Sequence, residues 1–365
     1  MNKNVYLVTF HNALNYGAVL QCVALYKAIN RMANCQIIDY RSPAIERRYK
    51  IFRKGAPFKD ILKSALLLNN TRKKRRQFEE FILGNASLTG KYNCYDELCK
   101  EHWKKTDIFI VGSDQVWNFD ITHNDPAFFL DFAPTVSKCV SYAASLGKEV
   151  DDRLVLALND KERSISSVSI REQSAVDKLS SLGITCQQNI DPVFLLTREE
   201  WARISKSSEV ELNKKYVLIY ALQKSKKLIE NAFEYANQNN LDVIMISTGL
   251  RRDYDCEYVS NCSPEEFVRL FFKATAIFTN SFHGIAFSIV ANNTFFYELQ
   301  GIEKGKESRN SRLNDLITMF GLQDRNLNAI KKIDDCEKID YSTINNIIDD
   351  ERKKSFEYLK RVICE

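Results

Sequence analysis

The residues best suited to chemistry lie in residues 274–296, ATAIFTNSFHGIAFSIVANNTFF. Ala276-Ile277-Phe278-Thr279 is a short apolar run with β-branched and aromatic members, and it reads as a buried strand. Asn280-Ser281-Phe282 turns the chain, and His283-Gly284 opens a second apolar run over 285–291. The small residues Gly284, Ala286, Ser288 and Ala291, and the position after a strand, favour a buried helix there. A helix start carries unpaired backbone N–H groups and partial positive charge, so it accepts phosphate or carboxylate. Thr279, Ser281 and His283 add side-chain donors, and a histidine can give or take a proton near neutral pH. The plainer alternative is Ser281 as N-cap beside a packed histidine; the chain has only 4 histidines.

Three further stretches place polar groups after apolar runs. Thr106-Asp107-Ile108-Phe109-Ile110-Val111 leads into Gly112-Ser113-Asp114-Gln115-Val116-Trp117-Asn118. There Asp114 can act as a base or orient a sugar hydroxyl and Trp117 can stack on a sugar ring. Equally, Asp114 can cap a turn and Trp117 can fill the core. Val168-Ser169-Ile170 delivers Arg171, whose guanidinium can grip a carboxylate or phosphate through two parallel hydrogen bonds; spacing alone favours surface ion pairing around Arg171-Glu172. Near the N-terminus, the polar loop of Asn15, Tyr16 and Gly17 follows an apolar run at 5–10. It lacks G-x-G-x-x-G, so no dinucleotide site is assigned.

These groups need a scaffold. The run at 5–10, helical spacing over 18–29 and a second run at 35–40 make a β-α-β unit, the start of a doubly wound sheet whose ligands bind at strand carboxyl ends. Strands are also expected at 138–144 and 168–172, and Asp191-Pro192 closes the first half. Polar residues 197–215 read as a boundary. A second β-α-β series follows from Tyr216, and Ser263-Pro264-Glu265-Glu266 is a strong helix start. Residues 45–81 read as a basic helical insertion, densest at Arg72-Lys73-Lys74-Arg75-Arg76. The favoured reading is a solvated helix face; the functional one is contact with anionic head groups or a lipid diphosphate. Cations cluster again at Lys304, Lys306, Arg309 and Arg312.

A chain of 365 residues accommodates two domains, and 45% hydrophobic with 27% charged residues is a globular composition. Net charge +5 suits a small anion or an anionic membrane surface and gives no argument for nucleic acid. The ten cysteines form no C-x-x-C, which predicts reduced thiols and no metal site. The apolar run at the N-terminus is short for a signal peptide and no segment reaches membrane-spanning length, so a cytoplasmic location is expected.

Taken in order, Asn15-Tyr16-Gly17, Gly112-Ser113-Asp114-Gln115-Val116-Trp117-Asn118, Ser141-Tyr142-Ala143-Ala144-Ser145, Ser169-Ile170-Arg171-Glu172, Asp191-Pro192 and Ser281-Phe282-His283-Gly284 resemble the polysaccharide pyruvyl transferase family over residues 5–320. The resemblance implies an α/β fold of two Rossmann-like lobes, GT-B-like, with parallel sheets and a cleft between them. Residues 1–197 would form the acceptor-side domain and 213–335 the donor-side domain, with 336–365 a helix returning to the first. It implies transfer of a carboxyethylidene group from phosphoenolpyruvate (PEP) to a saccharide, without a further cofactor. The acceptor would be a surface polysaccharide or its lipid-diphosphate-linked precursor, met at the inner membrane face. Arg171 matches the family's PEP-binding arginine and His283 its histidine before glycine. Some relatives carry an arginine two residues before that histidine; here it is Ser281, so the phosphate grip must differ. It would draw on backbone N–H groups at 282–284 or on Lys304, Arg309 or Arg312, with Lys304 nearest to a basic residue some twenty positions after the histidine. Asp114 or Asn15 would orient the acceptor, with Tyr16, Gly17, Ser113, Gln115, Trp117, Phe282 and Gly284 around the substrates.

Two other functions fit the same pattern. A GT-B glycosyltransferase would use a nucleotide sugar, but no acidic pair for a ribose is evident. A non-catalytic two-lobe protein binding small anions is the second.

Overall fold

The computed structural model describes residues 3–50, 67–160, 165–206, 214–247, 252–299, 310–330, 332–333 and 336–365. Seven parallel strands make the first sheet: β1 (Asn4–Val8), β2 (Asn34–Tyr40), β3 (Leu88–Tyr92), β4 (Ile108–Val111), β5 (Lys138–Ser141), β6 (Ile165–Ile170) and β7 (Cys186–Gln188), in the order β3-β2-β1-β4-β5-β6-β7. Five more make the second: β8 (Tyr216–Tyr220), β9 (Asp242–Ile246), β10 (Glu257–Val259), β11 (Ala276–Thr279) and β12 (Thr294–Tyr297), in the order β10-β9-β8-β11-β12. The chain is therefore α/β with two doubly wound parallel lobes.

The central strands are buried along their whole length: IFIV in β4, YVLIY in β8 and AIFT in β11. Runs of this kind have helices on both faces and need no alternation. In each sheet the strand order reverses once, between β1 and β4 and between β8 and β11. Loops splay apart at such a point and leave a crevice at the carboxyl ends of the strands. The turn after β1 ends at Asn15, and Tyr16 and Gly17, expected in that loop, already belong to the first turn of the next helix; the loop after β4 carries Ser113–Asp114, and that after β11 carries Asn280–Ser281, with Phe282 and His283 opening the helix beyond.

The helix Tyr16–Asn30, buried on nearly every side, and the wholly buried helix Phe282–Val290 both start at these crevices. The lobes meet through aromatics. Tyr16 stacks on Phe267 with ring centroids 4.5 Å apart and donates its hydroxyl to the Cys262 carbonyl at 2.9 Å. The stretch at 197–215, expected as a polar boundary, begins with a helix, Arg198–Ser205, closed at its start by a Thr197/Glu200 capping box. Its Trp201 is fully buried, with the indole N–H on the Val193 carbonyl and its ring against Phe287 of the second lobe. The final helix, Tyr341–Cys364, returns to the first sheet. Tyr358 donates to the Ser141 carbonyl at 2.7 Å, and the Ser355 hydroxyl accepts from Asn189 at 3.1 Å.

The expected basic helix at 45–81 corresponds to two described helices, Pro43–Arg48 and Leu68–Asn85, with 51–66 outside the described residues. Arg72, Lys73 and Arg76 are exposed, as a solvated face requires. Lys74 is the exception. It is buried at the lobe contact with its ammonium over the Tyr16 and Phe78 rings, 4.4 and 5.2 Å from their centroids. Burial lowers its pKa, against the opposing pull of Cys262. All ten cysteines are free thiols.

Candidate functional site between the lobes

The turn after β11 is shaped by short polar side chains. Thr279 donates its hydroxyl to the Tyr220 carbonyl at 2.6 Å and accepts the Ser281 N–H at 3.1 Å. Asn280 ties the turn to the loop after β8, accepting from Leu222 N–H at 2.8 Å and donating to the Gln223 carbonyl at 2.8 Å. Ser281 is the N-cap and accepts the Gly284 N–H. Gly284 has to be glycine, because a Cβ would lie 2.1 Å from Thr279 Oγ1. The cap leaves the Phe282 and His283 N–H groups pointing out of the helix start, where an anion is favoured.

His283 reaches from the second lobe into the first. Its Nε2 lies 3.6 Å from Asp191 Oδ2. Its other face abuts Gly17, where a Cβ would sit 2.0 Å from Nδ1. Both ring nitrogens thus face protein.

Arg171 follows β6 and is not a surface residue. It is 5% exposed, so the surface pairing that spacing favours does not occur. Its Nη1 donates to Asp191 Oδ2 at 2.6 Å, and its Nη2 donates to Ser145 Oγ at 2.8 Å and approaches Glu172 at 3.5 Å. Ser145 in turn hydrogen-bonds Glu172. Burial opposes the charge on Arg171, but Glu172, Asp191 and Asp114 outweigh it and raise its pKa. Its Nε has no hydrogen-bond partner. One oxygen of Asp191 therefore faces both the guanidinium of the first lobe and the imidazole of the second. Burial pushes the Asp191 carboxyl up, yet His283, Arg171 and the Val193 N–H prevail and hold it at about 2.

Beside Arg171 opens a cavity of about 390 Å³ between the lobes, also lined by Asp191, Phe282 and Arg312. The Arg171 and Arg312 guanidinium carbons lie 4.2 and 5.8 Å from the centroid of the Phe282 ring. Asp114 adopts a left-handed backbone, φ 68°, and Ala143 does likewise at φ 45°. Aspartate tolerates this conformation better than alanine does, and such residues gather at functional loops. Ser113 is fully buried with its hydroxyl unpartnered. Asn15 caps its helix by accepting the Ala18 N–H.

Several candidates lie elsewhere. Trp117 is a core residue: its indole N–H is on the Phe128 carbonyl at 3.0 Å and its ring stacks on Phe129. It offers no face to a sugar. Gln115 is engaged by Asn118 at 2.9 Å beneath Gly147. Tyr16 is committed to the lobe contact. Lys304 and Arg309 lie outside the described residues. Conversely, Asp191, Glu172 and Ser145 carry more of the site than their sequence motifs disclosed; the signal was an aspartate before proline, twenty residues beyond the arginine it holds. Among the described residues no cluster of His, Cys, Asp and Glu could hold a metal ion, and no helix is long and apolar enough to cross a membrane.

Fold and geometry define a two-lobe α/β protein with an arginine of one lobe and a histidine of the other meeting on one carboxylate. A model of the polysaccharide pyruvyl transferase family matches residues 15–296, and the chain belongs to that family. A search among curated proteins gives no match. Among solved structures, the chain is similar to UDP-GlcNAc 2-epimerase from Methanocaldococcus jannaschii (12% identity, TM-score 0.49, covering 98% of this chain and 92% of that one). It is also similar to the Neisseria meningitidis UDP-GlcNAc 2-epimerase (11%, 0.47, 100% and 94%) and to the E. coli heptosyltransferase WaaC (10%, 0.39, 84% and 91%). Likeness at this level carries no statement about activity.

Proposed function

We propose that the protein transfers a carboxyethylidene group from PEP to two hydroxyls of one saccharide, forming a cyclic pyruvate ketal and releasing phosphate. The observation that carries this reading is the meeting of Arg171 and His283 on Asp191 beside an interlobe cavity. PEP is a small, multiply charged anion, which needs fixed donors more than apolar surface. Arg171, Arg312 and the N–H groups of Phe282 and His283 are such donors, and Arg171 is held in place before any substrate arrives.

In the reaction, the methylene carbon of PEP gains a proton while one sugar hydroxyl adds to the neighbouring carbon and gives up its own proton. The phosphate then leaves with its bridging oxygen, and a second hydroxyl of the same sugar adds at the vacated position, losing its proton. His283, oriented by the ionised Asp191, is the proton donor or the donor to the departing phosphate. Asp114 or Asn15 positions the acceptor hydroxyl. Arg171 grips the donor's carboxylate or phosphate.

The acceptor is a surface polysaccharide or its lipid-diphosphate-linked precursor. The exposed Arg72, Lys73 and Arg76 support contact with an anionic membrane face at the cytoplasmic side. Incubating the full chain with PEP and a panel of glycans tests the reading, by phosphate release and by a mass gain of pyruvate less water. Turnover with nucleotide sugars instead of PEP, or normal turnover in both Arg171→Ala and His283→Ala, overturns it.

A further inference from the structure

Phe282 opens a helix of the second lobe and is 3% exposed, yet the group over its ring is a charge. The Arg171 guanidinium carbon of the first lobe stands 4.2 Å from the ring centroid. The Arg312 guanidinium carbon stands 5.8 Å from the same centroid. The His283 imidazole meets the ring at a steep angle, with centroids 5.1 Å apart and planes at 81°. Three nitrogen-rich side chains of the site are thus gathered around one phenyl ring, and the closest of them reaches it from the other lobe.

The surroundings of Arg171 show what the ring supplies. A guanidinium donates only in its own plane. There Nη1 donates to Asp191 and Nη2 to Ser145, both of the first lobe, and Nε is the donor left without a partner. The two bonds anchor one end of the group but tolerate a tilt out of the plane, because hydrogen bonds weaken steeply only when far from linear. The Phe282 ring lies on the face of the group and blocks that tilt. It also attracts the cation, since the face of a phenyl ring carries negative charge and draws a guanidinium most strongly where water is excluded. Arg171 is 5% exposed. Another carboxylate would stabilise the buried cation too, but it would repel an incoming anion; the ring has no net charge and does not.

We propose that Phe282 is a positioning residue: the face of its ring, reaching across from the second lobe, holds the Arg171 guanidinium so that Nε is presented to the anionic donor, and its bulk alone does not suffice. The inference rests on the pyruvyl-transfer reading for the identity of that anion, PEP. Substitution at 282 leaves the backbone N–H at the helix start in place, so the ring is tested by itself.

The experiment removes the charge on the ring face and keeps the ring's shape. Wild type, Phe282→Leu and a full chain with a trifluorinated phenylalanine at position 282 are compared for PEP binding by calorimetry near neutral pH. The dissociation constant rises about tenfold or more in both altered chains, the span expected for a desolvated contact between a cation and a ring. A packing role alone predicts wild-type affinity in the fluorinated chain. Without PEP, the Arg171 Nε–H signal in a proton–nitrogen correlation spectrum, identified by its loss in Arg171→Lys, lies upfield under the ring and moves to the ordinary arginine range in Phe282→Leu. If Phe282→Leu does not fold by circular dichroism, the fluorinated chain carries the test. Wild-type PEP affinity in the folded fluorinated chain, or an Nε–H signal that a folded Phe282→Leu leaves in place, overturns the inference. Ring-dependent PEP binding with no phosphate release in the presence of any glycan strikes the pyruvyl-transfer reading and leaves the positioning role standing; no binding of PEP to wild type overturns both.

Discussion

Gly17→Ala is the most incisive perturbation of this site, since it adds one methyl group against His283 and nothing else. Gly17 lies in the first turn of the helix Tyr16–Asn30 and has no positive φ. Alanine therefore fits the backbone and favours the helix by roughly 0.5–1 kcal/mol. Against this, the new Cβ would lie 2.0 Å from His283 Nδ1 and 2.3 Å from Cγ. Ordinary carbon contacts begin near ~3.5 Å, so the ring has to retreat by about 1.5 Å. It has no room to do so, with Asp191 on its other side and the Phe282 ring 5.1 Å away. Overpacking of this kind costs about 1–3 kcal/mol. Because the two residues belong to different lobes, the penalty falls on the contact that sets His283 against the first lobe. At about 1.4 kcal/mol per factor of ten, kcat/KM falls roughly 5- to 150-fold. PEP-dependent phosphate release measures this loss, and circular dichroism read alongside it checks that the variant is folded. A folded variant with unchanged kcat/KM, or a structure of it with the His283 ring in its original place, would refute the reasoning.

Asp191 gives a pH signature. Its carboxyl is held at about 2 in the fold against an ordinary 3.8, so it stabilises the protein above pH ~4 and that contribution is lost as pH falls through ~2. Asp191→Asn forfeits on the order of 2 kcal/mol at neutral pH, and acid denaturation monitored by circular dichroism becomes correspondingly shallower between those limits. Arg171→Lys keeps the charge but cannot reach Asp191 and Ser145 together, so the denaturation midpoint drops by the equivalent of about 2–3 kcal/mol; an unchanged midpoint would count against the buried network. Tyr16→Phe removes the hydroxyl that bonds Cys262 across the lobes and costs about 1 kcal/mol in a urea titration. In thiol titration of the native protein, the exposed Cys99 and Cys364 react quickly. Cys35 and Cys262, whose thiols burial pushes up to about 12 and about 11, react only after unfolding.

The elements most legible in the sequence are those whose burial is written locally. β4, β8 and β11 are unbroken apolar runs, and the helix Pro264–Lys273 has its cap, its proline and its first-turn acids in order. Edge strands were not legible: LTGKY, CQQ and EYV are short and polar, and pairing on one side alone makes them strands. Charged residues buried by distant partners escape a local reading for a related reason. Arg171 depends on Asp191 and Ser145, Lys74 depends on Tyr16, and no window around either residue contains those partners. The turn at Ser281 was readable because cap, histidine and glycine are adjacent. That His283 abuts Gly17 and Asp191 follows from how two sheets dock, which no local pattern encodes.

The return of the helix Tyr341–Cys364 to the first sheet bears on how the protein is made. The hydroxyl of Tyr358 ends on β5, Arg361 bonds Gln187 of β7, and the Ile363 carbonyl accepts from Lys3 at the other end of the chain. During synthesis this face of the first lobe stands bare until the helix arrives, after the strands of both sheets. Deleting Tyr341–Cys364 would therefore leave a strip of apolar surface uncovered on the first lobe.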